Sequence, residues 1–326
     1  MKFLEIEAGT TVRLPARGDL PEQTHVFDAD SIRAINTALA ARRPLLVRGE
    51  PGIGKSQLAK AAAKQLKRPY VQHVVDARTE SHDLLWHYDA VARLAEAQLC
   101  GVLGQRKGGV RRRLAVSNFL RPGPLWWAFN WQDAARQANE IGEGVSLMKD
   151  DADPANGCVV LIDEIDKAEI DVPNGLLEAL GNGEFTPPGR RQPVNAVFEP
   201  SLVIVTTNEE RALPDAFLRR CLVLHLKLPT TRKELESFLT DRGRAHFPDA
   251  DARVIGKAVQ LLSDERVPED GGLPKTGPLP LPGQAEFLDL LRAVITMRPK
   301  NPEGQLQILD EISKFTLRKH PDAANQ

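Results

Sequence analysis

The stretch that most restricts this chain is "PLLVRGEPGIGKSQLAK", residues 44–60. An apolar run of strand type leads into "GEPGIGKS" (49–56), a G-x-x-x-x-G-K-S pattern, and a segment of helical spacing follows. Strand, glycine loop and helix in that order form the setting in which this pattern cradles phosphate. The candidate binding surface is Gly49, Glu50, Pro51, Gly52, Ile53, Gly54 and Lys55, with Ser56 and Gln57 opening the helix. Gly49, Gly52 and Gly54 let the backbone turn tightly and aim N–H groups at phosphate oxygens. The helix N-terminus adds favourable charge. Lys55 reaches the β- and γ-phosphates, and the Ser56 hydroxyl is a ligand for Mg²⁺. The bland alternative is a glycine turn with a chance lysine, and the flanking strand and helix argue against it.

The rest of the chain supplies a sheet around that loop. "PLLVRG", "PYVQHVV", "CVVLID" and "LVIVTTN" read as strands that alternate with helical patterns, which predicts a parallel α/β sheet. "DADSIRAINTALAAR" (28–42) reads as a helix capped by Asp30 or Ser31, and residues 1–24 as a loosely packed leader. A long irregular stretch, 76–156, contains a helical run "HDLLWHYDAVARLAEAQL", a glycine-rich basic loop "GQRKGGVRRR" and the segment "NFLRPGPLWWAFNW". From about Pro229 the pattern becomes amphipathic helices, broken by a Pro/Gly-rich loop at 268–284. The expected organisation is therefore a leader (1–24), an α/β nucleotide-binding domain (25–228) with a long insert around 80–156, and a helical lid domain (229–326).

Composition narrows the setting. The 43 Lys and Arg against 44 Asp and Glu leave a net charge of −1, so nucleic acid or anionic lipid would need a local patch. Cys100, Cys158 and Cys221 are odd in number and far apart, which fits neither a disulfide framework nor metal-ligand spacing. The charged N-terminus lacks the apolar core of a signal peptide, and no apolar run is long enough for a bilayer. A cytoplasmic protein with no membrane contact is expected.

"CVVLIDEIDKA" (158–168) places Asp163 and Glu164 at the end of an apolar strand. In a parallel sheet the carboxyl ends of neighbouring strands face one crevice. Asp163 is then positioned near Ser56 to hold Mg²⁺ through water, and Glu164 to polarise a water attacking the γ-phosphate. A solvated acidic turn would be the ordinary reading without the phosphate loop upstream. "LVIVTTNEE" ends a further strand with Thr206, Thr207 and Asn208. An amide there can hydrogen-bond both the γ-phosphate and the water, and it can equally cap a turn.

"GEPGIGKS", "VVLIDEIDKA", "VTTN" and "LPDAFLRRC", in this order, resemble an AAA+ ATPase. "NFLRPGPLWW" before the acidic strand and "NGLLEALGNGEFTPPG" after it are similar to the MoxR family of AAA+ ATPases, over roughly residues 25–295. The resemblance implies a P-loop NTPase core, with a parallel sheet and helices on both faces, followed by a small all-helical lid. It also implies an insert before the acidic strand and a β-hairpin before the asparagine strand. ATP with Mg²⁺ would be hydrolysed at sites between the subunits of a hexameric ring. The cycle would drive chaperone-like remodelling of a protein partner, often one with a von Willebrand A-type domain. On the same resemblance the paired arginines of "FLRRC" await the γ-phosphate of a neighbouring subunit's ATP, with Arg220 as the finger and Arg219 as the second candidate.

The chain also departs from that pattern. Gly283, Gln284 and Ala285 occupy the start of the lid helix where many AAA+ proteins carry a sensor arginine, and Arg292 lies about two turns further on. "TTNEER" replaces the more usual Asn-Pro version and faintly resembles the GTP-using, DNA-translocating McrB relatives. GTP in place of ATP, a nucleic-acid translocase and a nucleotide-gated signalling or defence scaffold stay open as alternatives. "RKGGVRRR" (106–113) reads either as a loop gripping an acidic polypeptide or nucleic acid, or as a solvated tip. The tryptophans of "WWAFNW" read as core between insert and sheet. His82 and His87 do not share a helix face well enough for a metal site.

Overall fold

The computed structural model describes residues 2–16, 22–103, 107–143, 152–196, 201–267 and 281–317. Its elements begin with β1 (Thr11–Leu14) and β2 (Gln23–Val26), an antiparallel pair. The expectation of a loosely packed leader is thus corrected: Leu4, Val12 and Leu14 are buried, and alternation along β1 explains why one side of it turns inward. Next comes α1 (Ala29–Ala41). Its cap is Asp28 rather than Asp30 or Ser31, with the carboxylate accepting from the Ser31 N–H at 2.7 Å.

β3 (Leu45–Arg48), α2 (Lys55–Leu66) and β4 (Tyr70–Val74) follow. The expected helical run over 82–99 is split: a 3-10 turn (Ser81–Leu84) and β5 (Trp86–Tyr88) take its first part, and α3 (Ala90–Val102) starts after an Asp89 cap. Asp89 accepts from the Ala92 N–H at 2.7 Å, a start signal that periodicity alone does not reveal. The basic run is a short helix, α4 (Lys107–Arg113), not a loop. β6 (Leu120–Pro122) then pairs antiparallel with β5. α5 (Pro124–Phe129), α6 (Trp131–Glu140) and β7 (Val159–Asp163) lead to α7 (Asp171–Asn182). A hairpin of β8 (Glu184–Phe185) and β9 (Val194–Asn195) precedes β10 (Leu202–Thr207), α8 (Asp215–Leu218) and β11 (Leu222–His225). Four helices close the description: α9 (Arg232–His246), α10 (Ala252–Arg266), α11 (Gln284–Met297) and α12 (Pro302–Thr316). Most of the expected Pro/Gly loop, 268–280, lies outside the described residues.

The chain divides into two compact units. One holds residues 1–7, 28–48 and 56–224; the other holds 8–27, 49–55 and 225–326. In the first, the five-stranded sheet runs in the order β11-β3-β10-β7-β4, with β3, β10, β7 and β4 parallel where they pair. Every residue of β7 and β10 is buried, as a parallel strand covered on both faces requires. Trp126 is fully buried in this unit's core with Ile162, Val205 and Phe217, and Trp127 and Trp131 pack partly buried against it. In the second unit, α9 to α12 enclose a core of Leu235, Leu239, Ile255, Leu262, Phe287 and Leu291. Among the described residues no helix is long and apolar enough to cross a membrane.

Candidate functional site

The register of the sheet explains what gathers at its strand ends. β10 lies between β3 and β7, so Thr206 and Thr207 of β10 finish beside Asp163 of β7 and Arg48 of β3. Asp163 is buried, and donors surround its carboxylate. Ser56 Oγ lies 2.9 and 3.0 Å from the two oxygens. Thr206 Oγ1 donates to Oδ1 at 2.6 Å, and Gln72 Nε2 to Oδ2 at 3.3 Å. Such donors satisfy oxygens that would be costly to bury without partners. The expected meeting of Ser56 with Asp163 is present, and Gln72 is an added partner that a residue in a separate strand gave no sequence reason to choose.

Glu164 follows in a left-handed conformation, φ 62°. That turn ends the strand, and the Glu164 N–H donates to Thr206 Oγ1 at 2.9 Å. One hydroxyl therefore ties the metal-type carboxylate to the backbone of the candidate base. Asn208 Nδ2 comes to 3.5 Å from Glu164 Oε1, so sheet order brings these two expected partners together. Lys167, one turn on, holds Glu164 Oε2 at 2.6 Å, and this bond raises the Lys167 pKa above its ordinary value.

Asp166 is a residue the sequence reading passed over. It is buried and accepts from the N–H groups of Asn208 at 3.2 Å and Glu210 at 2.9 Å, which fixes the exit of β10. The signal was visible as the third acid of "DEID", but only the neighbouring strand gives it a task.

Arg219 and Arg220 stand at the C-terminal side of α8, and both are exposed. Neither side chain has a hydrogen-bond or ion-pair partner among the described residues. Arg220 lies along Gly181 of α7, where a Cβ would sit 3.5 Å from its Nε. Their backbone is held from elsewhere: Arg43 donates through Nε to the Arg220 carbonyl at 3.0 Å and through Nη2 to the Arg219 carbonyl. Phe217 and Cys221 anchor the two ends in the core. Burial pushes the Cys221 thiol up to about 12 despite the nearby cations Arg43 and Arg48, so it is a packing group. Arg43 carries no local motif that would have marked it.

The loop Gly49–Lys55 belongs by its contacts to the second unit. Gly49, Gly52 and Gly54 have φ of 153°, 77° and 99°, the backbone freedom expected of them. Lys55 Nζ donates to the carbonyls of Gly49 at 2.6 Å and Glu50 at 3.0 Å, so the lysine lies back across its own loop. Glu50 is paired with Arg266 of α10. Arg292, set aside above as a sensor, instead pairs with Asp289 on its own helix at 2.8 Å.

The donor set of Ser56 hydroxyl and Asp163 carboxylate is hard oxygen, the chemistry that suits Mg²⁺. A sequence profile described as the AAA domain of the dynein-related subfamily matches residues 44–221. No curated protein matches the chain. Among solved structures, one described as a "putative ATPase" from Cytophaga hutchinsonii is 13% identical, with 89% of this chain and 82% of that chain covered, at a TM-score of 0.37. At that score the likeness carries no weight for function.

Proposed function

The chain belongs to the AAA domain family, in its dynein-related subfamily, a family of ATPases, and from that premise we propose a MoxR-like machine that hydrolyses ATP with Mg²⁺ between the subunits of a ring. The observation that carries the proposal is the junction of β7 and β10, where one threonine hydroxyl serves both the Asp163 carboxylate and the Glu164 backbone. In this reading the loop Gly49–Lys55 holds the phosphates. Ser56 and Asp163 hold Mg²⁺, which when bound offsets charge on the phosphate oxygens. Glu164 accepts a proton from the attacking water, and Asn208 orients that carboxylate and the water. Lys167 occupies one Glu164 oxygen and has to yield it for that step. Arg220, with Arg219 in support, reaches a neighbouring subunit's nucleotide.

The MoxR-like part of the reading is supported by the β5–β6 insert and by the β8–β9 hairpin ahead of β10. Its output would be chaperone-like remodelling of a protein partner, of which a von Willebrand A-type protein is one form. The cations Lys107, Arg111 and Arg112 of α4, which have no ion-pair partner among the described residues, favour a second reading, a nucleic-acid translocase, in which DNA would stimulate turnover with steep salt dependence.

The test is a pair of variants. Lys55→Ala should lose binding of a fluorescent ATP analogue. Glu164→Gln should bind it normally and lose hydrolysis by ~10²–10⁴. Wild-type turnover in Glu164→Gln would assign the base elsewhere, and unchanged affinity in Lys55→Ala would overturn the phosphate-loop reading.

A further inference from the structure

The helical unit contains more than its four helices. Residues 49–55 belong to it, and three contacts fix them there. Gly49 is pressed on the segment entering the helices, where a Cβ would lie 2.4 Å from the Leu226 carbonyl oxygen. Gly52 is pressed on Ala285 at the start of α11, where a Cβ would lie 2.6 Å from the alanine Cβ. The third contact is ionic. Arg266, the last residue of α10, is 9% exposed. It donates to the Pro282 carbonyl at 2.8 Å and to both Glu50 carboxylate oxygens, at 3.0 and 3.1 Å.

The chemistry of that pair is unusual for its place. Glu50 lies inside the loop that the proposed function assigns to phosphate, and a carboxylate there repels the anion it is meant to receive. The Glu50 carbonyl is also one of the two that hold Lys55 Nζ, so shifting Glu50 shifts the lysine. A buried arginine sharing its charge with Glu50 removes the repulsion and fixes the residue that steers Lys55. No basic side chain is present at Gly283, Gln284 or Ala285, and Arg292 is committed to Asp289. Of the two arginines, Arg266 is the one that touches the loop.

We propose that Arg266 is a positioning residue for nucleotide binding: by neutralising and tethering Glu50, it lets the helical unit set the loop Gly49–Lys55 for an anionic ligand. The proposal rests on the ATP-binding reading given above. It also requires that the damage done by removing Arg266 come mainly from an exposed Glu50 charge, and that prediction is specific. Arg266→Gln should raise KM for ATP about tenfold and leave kcat within about twofold. Glu50→Gln alone should raise KM less than Arg266→Gln does, because it removes the charge that the arginine otherwise neutralises. Glu50→Gln placed on Arg266→Gln should recover KM to within about threefold of the wild type, a non-additive result that a purely structural arginine would not give.

The experiment measures KM, kcat and fluorescent-ATP affinity on the full chain, with thermal melting alongside. The proposal is overturned if Arg266→Gln leaves KM unchanged, if the double variant binds as weakly as Arg266→Gln, or if Glu50→Gln alone raises KM as much as Arg266→Gln does. Should Arg266→Gln fail to fold, Glu50→Gln and the double variant still decide the matter. Lys55→Ala in the same series separates the two failures. If Lys55→Ala loses ATP while the double variant fails to recover, the role of Arg266 alone is wrong. If Lys55→Ala binds ATP normally, the reading of the loop is wrong and this inference falls with it.

Discussion

Asp163 and the Arg219–Arg220 pair are both charged features of the same sheet-bearing unit, and they are finished in opposite ways. Asp163 is buried and takes bonds from Ser56, Thr206 and Gln72. The arginines are exposed, and their side chains find no partner among the described residues, although Arg43 holds their backbone in place. A carboxylate satisfied by its own chain can be complete in one subunit. Two adjacent guanidinium groups on a fixed backbone, without a side-chain partner among the described residues, suit the proposed role of meeting an anion on a neighbouring subunit. On the proposed function the contrast separates a role in cis from one in trans, and mixing variants can break it.

The largest effect is expected at Arg220. Arg220→Ala should bind ATP nearly as well as the wild type and lose ~10³–10⁵ in hydrolysis. Mixed with Lys55→Ala, which on the proposed function does not bind ATP but keeps its arginine, it should regain activity that neither has alone, in a concentration-dependent manner. Absence of any defect in Arg220→Ala would end the finger assignment, and a defect confined to Arg219→Ala would move it by one residue.

Thr206→Val sharpens the other side. It keeps the shape but removes the hydroxyl that serves Asp163 and the Glu164 N–H, and an unsatisfied buried group costs about 1–3 kcal/mol. Turnover should fall about tenfold or more, and mixing with Lys55→Ala should restore none of it, because the damage lies in the subunit that holds the nucleotide. Rescue in that mixture would erase the distinction between the two regions. Arg43→Gln should give a smaller, several-fold loss that follows the Arg220 pattern, since it loosens the backbone beneath the arginines. Complementation by Lys55→Ala, as for Arg220→Ala, is the measurement to make; a loss that cannot be complemented would make Arg43 a folding residue.

An effect on stability alone, with no loss of activity at neutral pH, belongs to the helical unit. Burial, with Arg242 and Arg292 adding to it, lowers the His246 pKa to about 4. The neutral form is favoured when folded, so the unfolded chain binds more protons between pH ~4 and ~6.5. Stability should therefore fall as pH drops through that window, by on the order of 1–3 kcal/mol. His246→Gln should flatten this part of the pH–melting curve. An unchanged slope would assign the acid sensitivity to other groups.

Much of the site was legible because its chemistry sits in local patterns. "GEPGIGKS" and "VVLIDE" carry their meaning in a few consecutive residues, and the β7 and β10 runs are apolar throughout because both faces are covered. The insert was less legible. "HDLLWHYDAVARLAEAQL" has helical spacing from end to end, yet Asp89 caps a new helix and Trp86–Tyr88 pairs with β6, a segment more than thirty residues later. The leader failed for the same reason: its order comes from the pairing of β1 with β2 and from burial of Leu4 and Val12. Neither signal exists in a window of neighbouring residues.

The sequence by itself determined the kind of chemistry, because a phosphate loop, an acid pair and a strand-end asparagine need particular residue types at short spacing. It also determined that the loop's glycines would take conformations with positive φ. Only the tertiary structure decided which side chains serve them. Gln72, Thr206 and Asp166 acquire their tasks from strand order, Arg43 from meeting the far side of α8, and Arg266 from the packing of α10 against the loop. Hydrogen bonds and ion pairs act over about 3–4 Å in space, whereas these partners lie from about forty to more than two hundred residues apart in the chain. A close contact between such distant residues exists only once the fold has brought them together.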